Sequence, residues 1–139
     1  MTDVFKDLHD MHVHYGFHEK IAHFDEPARA KLLEFRYKFL QEEMKEIADN
    51  IDNPEEVVDG LIDLVVVAVG TLDLFGIDGH KAWNNVHVAN MSKEVGIKAT
   101  RPNPLGLPDL IKPEGWTAPS HEGNHGTLPT VKSETQSTS

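Results

Sequence analysis

The sequence lacks cysteine and has few bases, and each shortage excludes a class of function. Without cysteine, the chain forms no disulfide, no thiolate metal site and no cysteine nucleophile. Its 13 Lys and Arg against 23 Asp and Glu give a formal net charge of -10. That balance argues against a nucleic-acid polymer or an anionic membrane as partner, because both require basic surfaces.

Long apolar runs are also missing. No stretch approaches the roughly 20 apolar residues that cross a bilayer, and the polar segment MTDVFKDLHDMH lacks the apolar stretch of a signal peptide. We therefore expect a cytoplasmic protein without a membrane partner. At 139 residues, we expect one domain with a modest core.

What the chain has is mainly helical periodicity. Apolar residues recur at helical spacing over residues 3–15, and Gly16 can end that helix. A polar loop is predicted over about 17–26. Pro27 suits a first helical position, and helix formers continue to about Ala48.

A third helix is predicted to begin at Asn53-Pro54, where Asn caps and Pro occupies the first turn. The run that follows contains Val65-Val66-Val67, which would also suit a strand. Its cap, its length and the terminal Gly76 favour a buried helix. Asp78 is predicted to cap a fourth helix that reaches about Ser92.

Composition divides the chain into three parts. Residues 1–95 form the predicted helical domain. Residues 96–119 are rich in Pro and Gly and are expected to be extended, packing on the core or on a neighbour. Residues 120–139 are mostly small and polar, so a disordered tail is expected.

Three glutamates in FLQEEMKEIADN lie close to the apolar side of the second helix. At about 100° per residue, Glu43 falls near the middle of the apolar stripe, Glu46 just inside its edge and Glu42 just outside. Arg36 shares the central line. The stripe consists of Leu32, Leu33, Phe35, Phe39, Leu40, Met44 and Ile47. A solvated run of charges would keep to the polar face instead.

The next helix carries a second acidic stripe. Glu56, Asp59 and Asp63 are spaced i, i+3 and i+7, while Gly60 and Gly70 lie close to that line. Glycine at these positions removes side chains where another group approaches closely. Capping, or pairing with Arg36 or with a histidine, is the structural alternative for Asp59 and Asp63.

Side-chain cations to balance these acids are scarce. Residues 42–78 contain eleven acids and one base, Lys45, and a buried unpaired carboxylate is costly. Oxygen-only ligands suit Mg²⁺ or Mn²⁺. Two facing helices of this kind could hold two or three such ions, which bind phosphate oxygens and activate water. An acidic protein could thereby act on a polyanionic substrate.

Several segments together resemble a known family. The glutamate motif at 42–46, DGLIDLVVVAVGTLDLFGID, VHVANMSK and DLHDMHVHYG are similar to short phage-encoded MazG-like members of the all-α NTP pyrophosphatase superfamily. The resemblance covers about residues 1–95, and KPEGW is similar to a tail that these proteins often carry.

The resemblance implies a fold and an activity. The fold would be an all-α, four-helix MazG-like bundle that assembles as a homodimer or homotetramer, with an extended C-terminal segment. The activity would be hydrolysis of a (deoxy)nucleoside triphosphate to the monophosphate and pyrophosphate with two or three Mg²⁺ or Mn²⁺ ions. The first substrate candidates are dGTP and GTP. A phage-encoded protein would act in the host cytoplasm.

Residue roles also follow from the resemblance. Glu43 and Glu46 would be metal ligands, and Glu42 would orient or deprotonate the attacking water. The second acidic element, E-x-x-D, would end on Asp63, with its glutamate position occupied by Gly60.

The missing carboxylate has two candidate replacements. Asp59 lies one turn before Asp63, and Glu56-x-x-Asp59 spells the motif one turn earlier. Which of Glu56 and Asp59 reaches the metal stays open, and Asp59 is the preferred ligand.

Four further residues are candidate substrate contacts. Asn90 and Lys93 of NMSK match polar positions that would meet phosphates, or they serve the helix dipole. Arg36 lies on the apolar line of the second helix. His12 would stack near a base, or it is an ordinary core histidine.

Two rival functions remain at this stage. A helical interaction module would bind a basic partner through exposed acidic stripes, without catalysis. A ferritin-like metal protein needs Glu-x-x-His pairs on helices, and the only such spacing, Glu122 to His125, lies in the tail. The H-E-x-x-H pattern at 121–125 works only on a helix. Among Pro, Gly and Ser, it is interpreted as coincidence.

Overall fold

The computed structural model describes residues 1–100 and 104–134. The parts of the predicted extended segment and tail at 101–103 and 135–139 lie outside the described residues. The described chain is mainly helical, as expected, with one small sheet. Its elements are α1 (Val4–His14), α2 (Phe17–Ile21), α3 (Glu26–Asp49), α4 (Pro54–Leu74), α5 (Gly79–Met91), β1 (Glu94–Gly96) and β2 (Asp109–Ile111).

Short polar side chains begin the long helices. The Asp25 carboxylate accepts a hydrogen bond from the Ala28 backbone N–H at 3.0 Å, and Asn53 accepts one from the Glu56 N–H at 3.4 Å. These caps satisfy donors that have no partner inside the helix. The predicted start at Asn53 is confirmed, and the valine-rich run after it is helical rather than extended.

The expected loop at 17–26 contains a short helix, α2. Gly16 has a φ of 73°, a left-handed conformation that glycine adopts without steric cost. The chain turns there, and the Gly16 carbonyl accepts a hydrogen bond from the Lys20 N–H at 3.3 Å. A helix of five residues is too short to show apolar periodicity, which is why the sequence pattern did not predict it.

Contacts divide the chain into two units. Of the described residues, the first contains 1–79 and 123–134, and the second contains 80–100 and 104–122. In the first unit, α4 packs against both α1 and α3. Its buried apolar residues are Leu8, Ala30, Val67, Val69, Leu74 and Phe75.

Glycines on α4 allow α3 and α1 to approach closely. A Cβ atom at Gly60 would lie 2.6 Å from Cγ1 of Ile47 on α3. A Cβ atom at Gly70 would lie 2.8 Å from Nη2 of Arg36 and 3.2 Å from Cε1 of His12. The prediction that these glycines make room for a close neighbour is confirmed, and the neighbours are protein side chains.

Part of the expected disordered tail makes defined contacts in the first unit. The Thr130 backbone N–H donates to Glu26 Oε1 at 2.7 Å, and the Ser133 hydroxyl donates to Glu34 Oε2. Glu34 also pairs with Lys38 at 2.9 Å. The small polar residues that suggested disorder serve here as hydrogen-bond donors to carboxylates on α3.

The second unit combines most of α5 with an antiparallel sheet, where Val95 lies opposite Leu110. The segment expected to be extended contains the strand β2. Trp116 of KPEGW donates its indole N–H to the Ala89 carbonyl at 2.9 Å, and the Lys112 ammonium lies 5.1 Å from the centre of its ring. No described helix has the length and apolar character needed to cross a membrane.

Candidate active site

The acids predicted for the site lie on α3 and α4, which pack together. Glu42, Glu43 and Glu46 are on α3, and Asp63 is on α4. Glu43 is buried as predicted, with only 8% of its surface exposed, and Asp63 is half-buried. Glu46 was also predicted to face inward, but it is exposed, as Glu42 is, because it lies at the edge of the apolar stripe. The charges of all three neighbours act on the Glu43 carboxyl, so the four residues form one group, which we call the acid cluster.

Glu43 is electrostatically unfavourable as an isolated anion. Burial raises the pKa of its carboxyl, and the negative charges of Glu46, Asp63 and Glu42 raise it further. Its buried Oε2 has no hydrogen-bond partner within residues 1–100 and 104–134. An opposite charge next to this oxygen would remove both costs.

The nearest base in sequence does not provide that charge. Lys45 pairs with Asp49, with 2.6 Å between Nζ and Oδ2. Both side chains are largely exposed. The lysine therefore neutralises an acid on the outer face of α3, and the acid cluster keeps its excess negative charge. Such a set of oxygen donors fits a divalent cation of the Mg²⁺ class.

Gly60 stands at the position expected to carry a fourth carboxylate, and the Ile47 side chain fills the space beside it. Gly60 faces Ile47, whose side chain would lie 2.6 Å from an added Cβ, so no acidic side chain fits there unless Ile47 moves. Glu56 and Asp59 are both exposed on α4. The Glu56 backbone N–H is fixed by the Asn53 cap. Asp63 is the acid of α4 whose charge acts on Glu43.

Arg36 is bound to the backbone and side chains of α4. Its Nε donates to Thr71 Oγ1 and its Nη2 donates to the Val67 carbonyl, each at 3.0 Å. The guanidinium carbon lies 5.7 Å from the centre of the Phe39 ring. Burial lowers the pKa of Arg36. These contacts give Arg36 a structural role between α3 and α4, beside any contact it makes with substrate.

His12 belongs to a group of histidines that the sequence reading did not assemble. Its ring is 1% exposed, and its Nδ1 lies 2.7 Å from Asp73 Oδ2. His9 Nδ1 lies 2.8 Å from Oδ1 of the same carboxylate, and His18 Nε2 lies 2.8 Å from Oδ2. We call these four residues the histidine cluster.

The three histidines stabilise the charged form of the carboxylate at the centre of the histidine cluster. Burial by itself raises the pKa of Asp73, but hydrogen bonds from His12, His9 and His18 outweigh that effect and lower it. The spacing of His9 and His12, three residues apart on a helix, was the one sequence signal of this group. His18 and Asp73 join it only through the packing of α1, α2 and α4.

Asn90 and Lys93 belong to the second unit. Asn90 is exposed near the end of α5, and its carbonyl accepts the Lys93 N–H at 3.2 Å. The Lys93 ammonium lies 5.5 Å from the centre of the Trp116 ring. The H-E-x-x-H residues, 121–125, lie in a turn and irregular chain and not on a helix, in agreement with their interpretation as coincidence.

One comparison with known proteins gives a match. The model of the phosphoribosyl-ATP pyrophosphohydrolase family matches residues 7–90, a span that includes the acid cluster and the histidine cluster. No curated protein matches the chain.

Proposed function

The chain belongs to the phosphoribosyl-ATP pyrophosphohydrolase family, and on that premise we propose that it cleaves the α–β phosphoanhydride bond of a nucleotide 5′-triphosphate. The family lies within the MazG-like all-α NTP pyrophosphatase superfamily, and its members are hydrolases acting on phosphoric anhydrides. The proposed products are the nucleoside monophosphate and pyrophosphate.

The observation that carries the proposed mechanism is the state of Glu43. A buried carboxylate with an oxygen that has no hydrogen-bond partner in the described part of the chain, next to three other acids, has the charge and donor atoms of a cation site. Glu43, Glu46 and Asp63 would hold Mg²⁺ or Mn²⁺, with Asp59 as the preferred fourth ligand and Glu56 as the alternative. Two or three bound ions would neutralise phosphate charge and lower the pKa of a coordinated water.

Glu42 is proposed to handle the attacking water. It is exposed on α3, next in sequence to the buried Glu43, so it is accessible to solvent while its charge still reaches the cluster. A carboxylate in that position accepts a proton from the water and orients it toward the α-phosphorus.

Two similarities suggest the substrate, and both indicate a molecule with a 5′-triphosphate. The name of the family points to phosphoribosyl-ATP, whereas the resemblance to short MazG-like proteins points to dGTP or GTP. Both kinds of molecule present a 5′-triphosphate to the acid cluster. We propose dGTP and GTP as the first substrates to test, with phosphoribosyl-ATP beside them.

The remaining substrate contacts rest on sequence similarity. Asn90 and Lys93 are proposed to meet phosphate oxygens because NMSK resembles the corresponding segment of short MazG-like proteins. Arg36 and His12 are proposed to act near the nucleotide. Their contacts with α4 and with Asp73 would hold them in place.

A homodimer or homotetramer is proposed because α4 has an exposed apolar stripe. Val58, Leu61, Ile62 and Val65 are all exposed and are spaced i, i+3, i+4 and i+7, which places them on one face of the helix. Contiguous apolar surface of this kind marks an interface. Sedimentation of wild type against Leu61→Glu tests it: the wild type should be oligomeric and the variant smaller, while equal sizes contradict the proposal.

The rival interaction module would bind a basic partner through the exposed acids Glu42, Glu46, Glu56 and Asp59. It gives no role to Glu43, which is only 8% exposed. The members of the family are hydrolases, so hydrolysis is the activity expected of this chain. A pull-down that captures a basic protein equally with wild type and Glu43→Gln, together with no turnover of any nucleotide, would favour the module.

Substitutions in the acid cluster test the proposed ligands. Glu43→Gln and Asp63→Asn should each reduce turnover at least about 100-fold, because each removes one negative ligand from the site. Glu55→Gln, an exposed acid in the first turn of α4, serves as the matched control and should keep wild-type activity. Full activity in either cluster variant contradicts the assignment.

The choice between Asp59 and Glu56 needs a metal readout. Asp59→Asn and Glu56→Gln are compared by their activity as a function of Mn²⁺ concentration. The variant that removes a ligand should need at least tenfold more Mn²⁺ for half-maximal activity. A shift in Glu56→Gln alone would move the fourth ligand one turn earlier on α4.

A further inference from the structure

The histidine cluster has the geometry of a second metal site. Among the described residues, one group of three presents ligand atoms that all lie within 4.8 Å of one another: His9, His18 and Asp73. Their donors are two imidazole nitrogens and one carboxylate oxygen. His9 is 55% exposed and His18 is 33% exposed, so an ion can reach them from solvent.

We propose that His9, His18 and Asp73 bind one divalent transition metal of the Zn²⁺ class, at a site separate from the acid cluster. Imidazole nitrogen is a preferred ligand of Zn²⁺ and similar ions, whereas Mg²⁺ prefers oxygen alone. Asp73 follows Asp63 by ten residues on α4, which is about 15 Å along the helix axis. The two sites therefore differ in both place and metal preference.

The observed distances are near those that an ion requires. With metal–ligand distances of about 2.0–2.1 Å, two ligands of a tetrahedral site lie about 3.3 Å apart. His9 and His18 lie 2.8 Å from different oxygens of Asp73, and the three ligand atoms lie within 4.8 Å of one another. The imidazoles must therefore turn toward a single carboxylate oxygen, with shifts of up to about 1.5 Å. Both rings are at least partly exposed and have room to turn.

His12 supplies the support that such a site requires. It is almost completely buried, and its Nδ1 lies 2.7 Å from Asp73 Oδ2. A hydrogen bond of this kind orients a ligating carboxylate and is a regular feature of metal sites. Because His12 lies on α1 and Asp73 on α4, it also holds the two helices in register at the site.

The site would also fix α2. This helix has five residues, none of them buried, so little apolar packing holds it. His18 is its contact with Asp73, and the same residue lines a cavity of about 260 Å³ together with Phe24 and Arg29. A metal bound by α1, α2 and α4 would join three elements, as structural zinc sites do.

Co²⁺ tests this site without an activity assay. Untagged full-length protein is titrated with Co²⁺ in excess Mg²⁺, which occupies the acid cluster. One equivalent should bind, give the intense visible absorption of tetrahedral Co²⁺, and be displaced by Zn²⁺. His9→Gln and His18→Gln should each weaken binding at least tenfold, while His14→Gln, an exposed residue of α1, should not.

Three outcomes would overturn the proposal. The first is no Co²⁺ binding by wild type, and the second is unchanged binding in His9→Gln and His18→Gln. The third is Co²⁺ binding that is lost in Glu43→Gln but kept in His18→Gln. Far-UV circular dichroism verifies that the variants are folded, and His9 is exposed enough for its substitution to be tolerated. The test does not depend on turnover, so it is independent of the proposed function.

Discussion

Glu43→Gln should make the metal-free protein more stable while it abolishes activity. In the absence of metal, the Glu43 carboxylate is buried and is repelled by Glu46, Asp63 and Glu42. Its Oε2 has no hydrogen-bond partner among the residues that the structure describes. Glutamine keeps the shape and removes the charge. An ordinary packing residue replaced by a near-isostere would gain nothing.

The expected gain in the free energy of unfolding is about 1 kcal/mol. Leaving a buried polar group unsatisfied costs about 1–3 kcal/mol, and more when it is charged. Glutamine still buries an amide, so only part of that cost is recovered. For a chain of this length, about 1 kcal/mol raises Tm by about 4 °C.

The gain should depend on pH with a definite sign. Since the pKa of Glu43 is raised above its ordinary 4.5 in the folded state, the folded protein binds more protons than the unfolded chain between those two values. Wild-type stability therefore falls as pH rises from 4.5 through the folded pKa. Glu43→Gln does not lose this stability. The difference in stability between the variant and wild type therefore grows as pH rises from 4.5 through the folded pKa of Glu43, and it is constant at higher pH.

The assay is thermal unfolding in chelator at pH 4 and pH 8. The variant should exceed wild type at pH 8 by about 4 °C and approach it at pH 4. Glu42→Gln, an exposed neighbour, should change little at either pH. A Glu43→Gln protein that is equally or less stable at pH 8, with no pH-dependent difference, would refute the reasoning. Saturating Mn²⁺ should reverse the order, because metal at 100 times Kd stabilises wild type by about 2.7 kcal/mol.

Three further predictions concern packing and the tail. Gly60→Ala should lower the free energy of unfolding, measured in urea, by about 1–3 kcal/mol. In an Ile47→Ala background, Gly60→Ala should cost less. If the effects of the two substitutions on stability simply add, the contact between Gly60 and Ile47 is contradicted. Arg36→Lys should cost about 1–3 kcal/mol because it breaks the two hydrogen bonds to α4, and unchanged stability contradicts that role. Glu34→Gln should increase proteolysis of the C-terminal segment by weakening the hydrogen bond from Ser133, so an unchanged cleavage rate counts against that attachment.

Local chemistry made most of the helical elements predictable. Asn53 followed by Pro54 determines a helix start within a few residues, and the side chain caps the Glu56 N–H as expected. The apolar periodicity likewise placed Glu43 on the inner face, where it is buried. Both conclusions depend only on neighbours within two helical turns.

Features that depend on distant residues were not predictable. Ser133 and Glu34 are 99 residues apart, and nothing in the polar composition of the tail identifies that partner. The role of Gly60 also became clear only from the structure. From the sequence it was a missing carboxylate, but in the fold it is the position against which Ile47 packs.

The histidine cluster shows the same limit in the candidate sites. His9 and His12 are one turn apart, but Asp73 lies more than sixty residues away from either of them. From the sequence alone, His12 was predicted to be a base contact or a core residue. Only the packing of α1 on α4 shows that it holds a carboxylate that two further histidines also contact.

The measurement that tests the central claim most directly is product identification. Wild-type protein is incubated with each (d)NTP and with phosphoribosyl-ATP, in Mg²⁺ or Mn²⁺, and the products are separated by anion-exchange chromatography. Our account predicts the nucleoside monophosphate, or phosphoribosyl-AMP, together with pyrophosphate, and no products in chelator or with Glu43→Gln. Orthophosphate with a diphosphate product, or no turnover of any of these substrates with either metal, would contradict it.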